Sequence, residues 1–290
     1  MDLPIVRLAS SAWIEDSYTA EPTYLDTLET WFGAEAASLP LNFDAAGSRR
    51  RIDQWVERST EGLIPTILPE NVPNADTRVI LVSAVYMKAQ WWRPFLREGT
   101  HEEDFHRLDG TTARADLMTQ APDTDYVVAE DYDAAVLPYV GDLEMVLIVP
   151  HEGRFPAVRD SFDGEALAAL DAARTAGHVW LRLPRFQTEA TVDVRDVIEE
   201  RLGVEGLFDT AGLDGIGPDL TLTTAVHATT VIVDEEGTEA AGATALGGDG
   251  AGMPEFDAEI IADRPFLYVI RDTTTGAILF VGQYVDPEGA

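Results

Sequence analysis

The spacing of apolar and polar residues predicts a mixed α+β chain. Ala20 to Phe32 carries Tyr24, Leu25, Leu28, Trp31 and Phe32 at helical spacing, and Gly33 stops the run. Gly47 to Leu68 predicts a second helix, ending near Pro65. Val79 to Gln90 is mostly apolar with β-branched residues, the pattern of a buried strand. Leu137-Pro138-Tyr139 and Met145 to Pro150 flank Val140-Gly141-Asp142 as the arms of a hairpin. Gly164 to Thr175 reads as an alanine-rich helix. Val179 to Phe186 and Ala190 to Val194 read as strands around a charged break, and Asp193 to Leu202 as a short helix before Gly203. Leu222 to Val233 is strand-like and contains His227. Near the C-terminus two strands flank Asp272 to Gly276, a turn by composition. No linker or repeat interrupts this order, so the reading is one α+β domain of sheets with helices on one face.

Composition narrows the function. The 290 residues are 46% hydrophobic, enough for a sizeable core. There are 52 acidic residues against 20 basic, a net charge of −32, and Lys88 is the only lysine. Such a surface repels nucleic acid and anionic membranes and favours basic partners. The bias is read as a general acidic composition rather than a dedicated acidic face. No apolar run approaches the roughly 18 residues of a membrane span, and Met1 to Arg7 holds no signal-type stretch. The absence of cysteine excludes disulfides and thiolate metal sites.

Catalytic motifs are equally sparse. His101 and His106 sit near Glu102, Glu103 and Asp104, but without a tight helical ligand spacing. That segment reads as a solvated acidic turn, and no metal or cofactor is expected. No Gly-x-Ser-x-Gly elbow occurs. Gly247 to Gly252 is glycine-rich yet lacks the Gly-Lys-Ser/Thr ending of a phosphate loop, so it reads as a flexible exposed loop. The chain is not expected to be an enzyme.

The most specific stretch follows the Thr229 to Val233 run. It reads Asp234-Glu235-Glu236-Gly237-Thr238-Glu239-Ala240-Ala241-Gly242-Ala243-Thr244-Ala245. Downstream come Ala262-Asp263-Arg264-Pro265-Phe266-Leu267-Tyr268-Val269-Ile270-Arg271-Asp272 and Thr275 to Gly282. These two segments, in this order, resemble the hinge and C-terminal signature of serpins, the serine protease inhibitors. The likeness extends to Thr77 to Trp91 with Arg93-Pro94-Phe95, which resembles the serpin central strand and its turn. Ile52 to Val56 with Thr60 to Ile64 resembles the helix covering the main sheet, and Leu183-Pro184-Arg185-Phe186 another strand of that sheet. Leu213 to Ile216 and Ala225-Val226-His227 resemble the approach to the hinge. Serpins carry a long helical segment before the counterpart of Leu8 to Trp13, where this chain has seven residues. The resemblance thus implies a serpin short of its N-terminal helices: residues 1–290 alone are expected to associate or be cleaved as a substrate, and the same chain with its upstream segment restored is expected to trap a protease.

The fold implied is a large central β-sheet with covering helices, a second barrel-like sheet and a reactive loop at 237–259. The function implied is suicide inhibition of a serine protease. After attack on the loop, the cut strand inserts into the main sheet and the acyl-enzyme is stranded. Glu235, Glu236, Gly237, Thr238, Glu239, Ala240 and Ala241 would form the hinge, and Ser83 and His227 the sheet-opening cluster. Counting from the hinge glycine and from Pro265-Phe266 places the reactive bond among Ala251, Gly252 and Met253. These uncharged residues suit a protease of elastase, subtilisin or chymotrypsin type. By the same resemblance the complete protein is expected to be an extracellular monomer, without cofactor, nucleic-acid or membrane partner. The alternative is a non-inhibitory serpin fold serving as a scaffold or protease substrate.

The loop can be tested against that mechanism by parity. Strand side chains alternate between faces. Even positions give Thr238, Ala240, Gly242, Thr244 and Leu246, uncharged and mostly small; Glu239 and Asp249 share the odd face. No proline falls between Gly237 and Gly252 to remove a ladder hydrogen bond.

Overall fold

A computed structural model describes residues 4–204, 206–208, 213, 216, 217, 220, 222–238 and 255–288. The chain runs β1 (Ile5–Glu15), α1 (Pro22–Phe32), β2 (Glu35–Leu39), α2 (Ala45–Ser59), β3 (Val79–Gln90), β4 (His101–His106), β5 (Thr112–Gln120), β6 (Asp123–Val128) and β7 (Tyr132–Pro138). It continues with β8 (Leu143–Pro150), α3 (Phe155–Ser161), α4 (Gly164–Ala173), β9 (Thr175–Pro184), β10 (Phe186–Asp193), β11 (Thr224–Val233), β12 (Gly237–Thr238), β13 (Ala258–Ile261), β14 (Phe266–Asp272) and β15 (Ile278–Tyr284). Contacts gather these elements into two units. One comprises Met1–Ile5, Met87–Thr188 and Val231–Ala290; the other comprises Val6–Tyr86 and Glu189–Thr230.

In the second of these units the strand order is β10, β11, β3, β1, β2. Thr224 to Thr229 of β11 lie parallel to Ile80 to Val85 of β3. Alternation along β3 puts Ile80, Val82 and Ala84 on one face, where they pack with Val226, Ala228 and the α2 residues Ile52, Trp55 and Val56. Trp13 meets Trp55 edge to face at 5.9 Å. The opposite face, with Leu81, Ser83 and Val85, is only half-buried. The apolar run predicts a strand buried throughout; on this second face Val79 and Met87 are buried, and only the middle, Leu81 to Val85, has less cover.

Helix α2 begins where the Asp44 carboxylate caps the Gly47 N–H at 3.0 Å. It ends at Ser59, well short of the predicted Pro65. The Thr60 hydroxyl donates back to the Val56 carbonyl at 2.9 Å. Glu61 and Gly62, at φ 53° and 89°, then turn the chain out of the helix. Ile64, Ile67 and Leu68 still enter the core, but from irregular chain. Their apolar character extended the periodic pattern past the true stop. The short helix expected over Asp193 to Leu202 is present from Arg195, and its last turn, Val197–Arg201, is wider than an α-helix.

The other unit holds a nine-stranded sheet in the order β15, β14, β8, β7, β6, β9, β5, β4, with β13 beside β9. Every residue of β8 is buried. Val146 and Ile148 pack against Phe155, Val158, Leu167 and Leu170 of α3 and α4. The segment expected as an acidic turn, His101 to His106, is instead β4, paired antiparallel with Thr112 to Leu117. It lies at the end of the strand order, where charged side chains discourage further pairing. Leu183 and Pro184 close β9 in this sheet, whereas Phe186 opens β10, in the sheet with β11.

An ionic network ties α4 to this sheet. Arg271 on β14 bonds Asp171 at 2.7 Å and Glu144 at 2.8 Å, and Arg174 reaches Glu144 at 2.9 Å. Burial alone would raise the Glu144 pKa, but the two guanidinium groups outweigh it and hold it below the usual value. The Arg271 hydrogen bond likewise lowers that of Asp171. Depressed carboxylate pKa values stabilise the fold above the unfolded values, near pH 4, and the contribution is lost as pH falls through the folded ones. Glu144→Gln is therefore expected to lower the melting temperature at pH 6. The gap from wild type should narrow as thermal scans approach pH 3.

Candidate functional site

The acidic run after β11 is buried rather than solvated. Glu235 and Glu236 are 2% and 4% exposed. Buried carboxylates require partners. Arg185 forks onto Glu235, its Nε 2.9 Å from Oε2 and its Nη2 against Oε1, and the Thr100 hydroxyl donates to Oε1 at 2.6 Å. Burial works to raise the Glu235 pKa, but these bonds prevail and hold it below the ordinary value. Arg97 pairs with Glu236. Asp234 turns its carboxylate onto the N–H groups of Glu236 at 2.8 Å and Gly237 at 3.2 Å. Its pKa is raised, chiefly by burial and further by the charges of Glu236 and Glu235.

The backbone of the run is held as firmly. The Trp91 N–H donates to the Glu236 carbonyl at 2.8 Å, and the Phe95 N–H to that of Glu235 at 2.8 Å. The Trp91 indole donates to the Asp234 carbonyl at 3.0 Å. Trp91 itself is stacked on Tyr139, centroids 4.3 Å apart.

The chain then reverses at Gly237 and enters β12. Gly237 and Thr238 pair antiparallel with Gln90 and Ala89 of β3, and Thr238 also with Val233 of β11. The Thr238 side chain is buried, its hydroxyl 2.7 Å from the Tyr139 hydroxyl. Gly237 has φ 151°, and a Cβ there would lie 2.1 Å from the Ala89 carbonyl oxygen. Only glycine fits this approach. Gly237→Ala is expected to expel β12 from beside β3. Hydrogen exchange at the Ala89 and Trp91 amides, which face β12 and the residue before it, would register this; protection equal to wild type would contradict it.

Ser83 and His227 stand opposite each other in the register of β3 and β11. Both are half-buried, and burial lowers the His227 pKa. Glu239, Ala240 and Ala241, the glycine-rich run Gly247 to Gly252, and the reactive-bond candidates Ala251, Gly252 and Met253 all lie outside the described residues. The expected loop end, Ala258 and Glu259, belongs to β13, which runs parallel to β9. Sequence reasoning did not pick out Thr100, Tyr139, Trp91 or the ionic role of Arg185. The available signal was the acidic run itself: three consecutive carboxylates leaving a strand need nearby cations if they are buried.

The serpin (serine protease inhibitor) family model matches residues 3–287. An uncharacterised serpin-like protein of Thermococcus kodakarensis is 33% identical over 289 residues, spanning 98% of this chain and 67% of that one. The human leukocyte elastase inhibitor is 32% identical over 308 residues, spanning 98% of this chain and 78% of that protein. The fold of thyroxine-binding globulin in complex with thyroxine superposes with a TM-score of 0.87 at 23% identity, over 99% of this chain and 77% of that one. Uncleaved ovalbumin superposes with a TM-score of 0.86 at 25% identity, over 99% and 75%. The chain belongs to the serpin family, and its architecture is the serpin fold.

Proposed function

We propose that this protein inhibits a serine protease as a suicide substrate, the whole chain acting as one serpin domain with 237–259 as the reactive loop. The observation that carries this reading is the seating of Gly237 and Thr238 between β3 and β11. A loop entered this way needs no new nucleation to become a strand; Thr238 already pairs on both sides, with Ala89 and Val233. Glu235, Glu236, Gly237 and Thr238, with Glu239 to Ala241 after them, act as the hinge. Ser83 and His227 lie where the parallel ladder between β3 and β11 must part. The bond attacked falls among Ala251, Gly252 and Met253, whose uncharged side chains suit an elastase-, subtilisin- or chymotrypsin-like pocket. The leukocyte elastase inhibitor is a relative whose name carries the same activity. No catalytic group of the inhibitor is required, because the driving force is conversion of an exposed loop into a paired strand.

The test is incubation with pancreatic elastase, chymotrypsin and subtilisin. An SDS-stable covalent complex, with the new N-terminus of the released peptide lying between Gly250 and Pro254, is the expected result. Mass spectrometry locates the cut. Cleavage without complex supports a non-inhibitory serpin fold, and a first cut outside that window contradicts the loop assignment.

A further inference from the structure

A cavity of about 600 Å³ opens in the unit that holds the nine-stranded sheet, where the turn after β4, the start of α3 and the link from β13 to β14 converge. Backbone bonds fix all three. The His106 N–H donates to the Asp263 carbonyl at 2.7 Å, clipping the turn to the link. The turn is closed by the Arg107 N–H on the Thr111 carbonyl at 2.8 Å, and by Gly110, whose φ of 83° is one that glycine favours. The His151 N–H donates to the Asp131 carbonyl at 2.9 Å. The His151 ring lies between the Glu130 carbonyl at 3.0 Å and the Asp133 carboxylate at 3.3 Å. Walls set this way need little further ordering when a ligand arrives.

The lining combines two chemistries. Pro150, Phe155 and Pro265, all buried, and the exposed Leu108 supply apolar surface. The titratable residues of the lining are Arg107, Arg264, His106 and His151 against a single carboxylate, Glu152. That inverts the balance of the whole chain, which has 52 acidic residues to 20 basic. The two guanidinium groups are anchored yet keep unengaged donors. Arg107 gives its Nε to Asp286 at 2.8 Å and its Nη2 to Glu288 at 2.7 Å, which leaves Nη1. Arg264 gives only its Nε, to Asp263 at 2.8 Å, so both of its Nη groups are without a partner among the described residues. A carboxylate accepts paired N–H bonds from such a planar fork. Asp263, Asp286 and Glu288 orient the two cations and also offset part of their pull on an anion. Charge alone therefore holds a ligand weakly here, and the apolar wall has to supply the rest.

We infer that this cavity binds a low-molecular-weight organic acid. Its aromatic or branched aliphatic body packs on Phe155, Pro265 and Leu108, and its carboxylate takes the unengaged Nη groups of Arg264 and Arg107. The volume lies within the range of about 300–1,000 Å³ found for small-molecule sites. None of the residues involved belongs to the hinge or to 237–259, so the inference stands apart from the inhibitory reading.

The experiment is equilibrium dialysis of the 290-residue chain against 1-naphthylacetate, read by the fluorescence of the free ligand. This readout holds whatever the state of association of the protein. Saturation at one ligand per chain with a Kd below about 1 mM is expected. 1-Naphthylacetamide keeps the body and loses the charge; acetate, tested by competition, keeps the charge and loses the body. Each should bind at least about tenfold more weakly. Arg264→Gln removes the partner of the carboxylate, and Leu108→Glu places a like charge at the rim; each should weaken naphthylacetate by about tenfold. Arg58→Gln, at an exposed arginine of α2 in the other unit, should leave its Kd unchanged. Equal binding of acid and amide, no saturable binding, or a Kd within about twofold of wild type in both cavity variants overturns the inference. Melting temperatures without ligand identify a folding defect in Arg264→Gln. Leu108→Glu, at a residue 54% exposed, then carries the test.

Discussion

Thr238→Arg is expected to turn this protein from a trap into a substrate. The Thr238 side chain is 1% exposed and bonds Tyr139. A guanidinium in that position has no carboxylate assigned to it, because Arg185 and Thr100 already occupy Glu235 and Arg97 occupies Glu236. Leaving a charge buried without its partner costs on the order of 3–5 kcal/mol. Before cleavage β12 can leave its place beside β3 and carry the guanidinium into solvent, whereas the cut strand cannot extend without burying it, so the penalty falls on insertion. Cleavage of the loop itself should continue. On denaturing gels the variant should yield cleaved protein and no covalent band. Thr238→Val is the control: it keeps the shape and loses one hydrogen bond, worth about 1 kcal/mol, so trapping should persist. An undiminished covalent band with Thr238→Arg would remove the hinge assignment.

The second large effect is expected at Glu235. Its side chain is 3% exposed, whereas that of Arg185 is 42% exposed. The cost of breaking the pair therefore falls mainly on the carboxylate end. Glu235→Lys places an ammonium against Arg185 inside the fold and strands the Thr100 hydroxyl. The loss should be on the order of 3 kcal/mol, several degrees in melting temperature for a protein of this size. Combining it with Arg185→Glu restores opposite charges and should recover part of the loss, as expected for residues in direct contact. A Glu235→Lys variant that melts with the wild type would show that the ion pair contributes nothing.

Much of the fold was legible because burial and periodicity agreed. β3 was bounded correctly from Val79 to Gln90, and the β7–β8 hairpin stood out around Gly141. α1 was nearly right because Gly33 adopts the left-handed cap that its position suggested. The failures have physical causes. β4 is an edge strand, and its charged composition, useful against stray pairing, concealed it. α2 was overrun because Ile64, Ile67 and Leu68 are core residues that are not helical. β1 and β2 were not identified as strands; Glu35 to Leu39 is short, and its burial is mostly partial. At the candidate site, the acidic run and Gly237 were visible in the sequence, but its partners were not. Arg185 lies 50 positions from Glu235 and Thr100 lies 135 from it. No local pattern carries contacts of that range.

The two-residue strand β12 also sets a length. Each step forward along the loop moves one step back along β3, from Gly237 at Gln90 and Thr238 at Ala89. Continued without a slip, residue 248 would face Val79, the first residue of β3. The same continuation from Thr238 at Val233 brings residue 247 opposite Thr224, the first residue of β11. Both neighbouring strands therefore run out at the same place in the loop, within one residue. The side chains that follow Thr238 inward are then Ala240, Gly242, Thr244 and Leu246, ending on the largest apolar one. At about 3.4 Å per residue, the ten steps from Thr238 to residue 248 carry the chain end roughly 34 Å. A group esterified to residues 251–253 would trail the last paired residue by three to five positions. The tether is short enough that the completed strand would pull against whatever it holds.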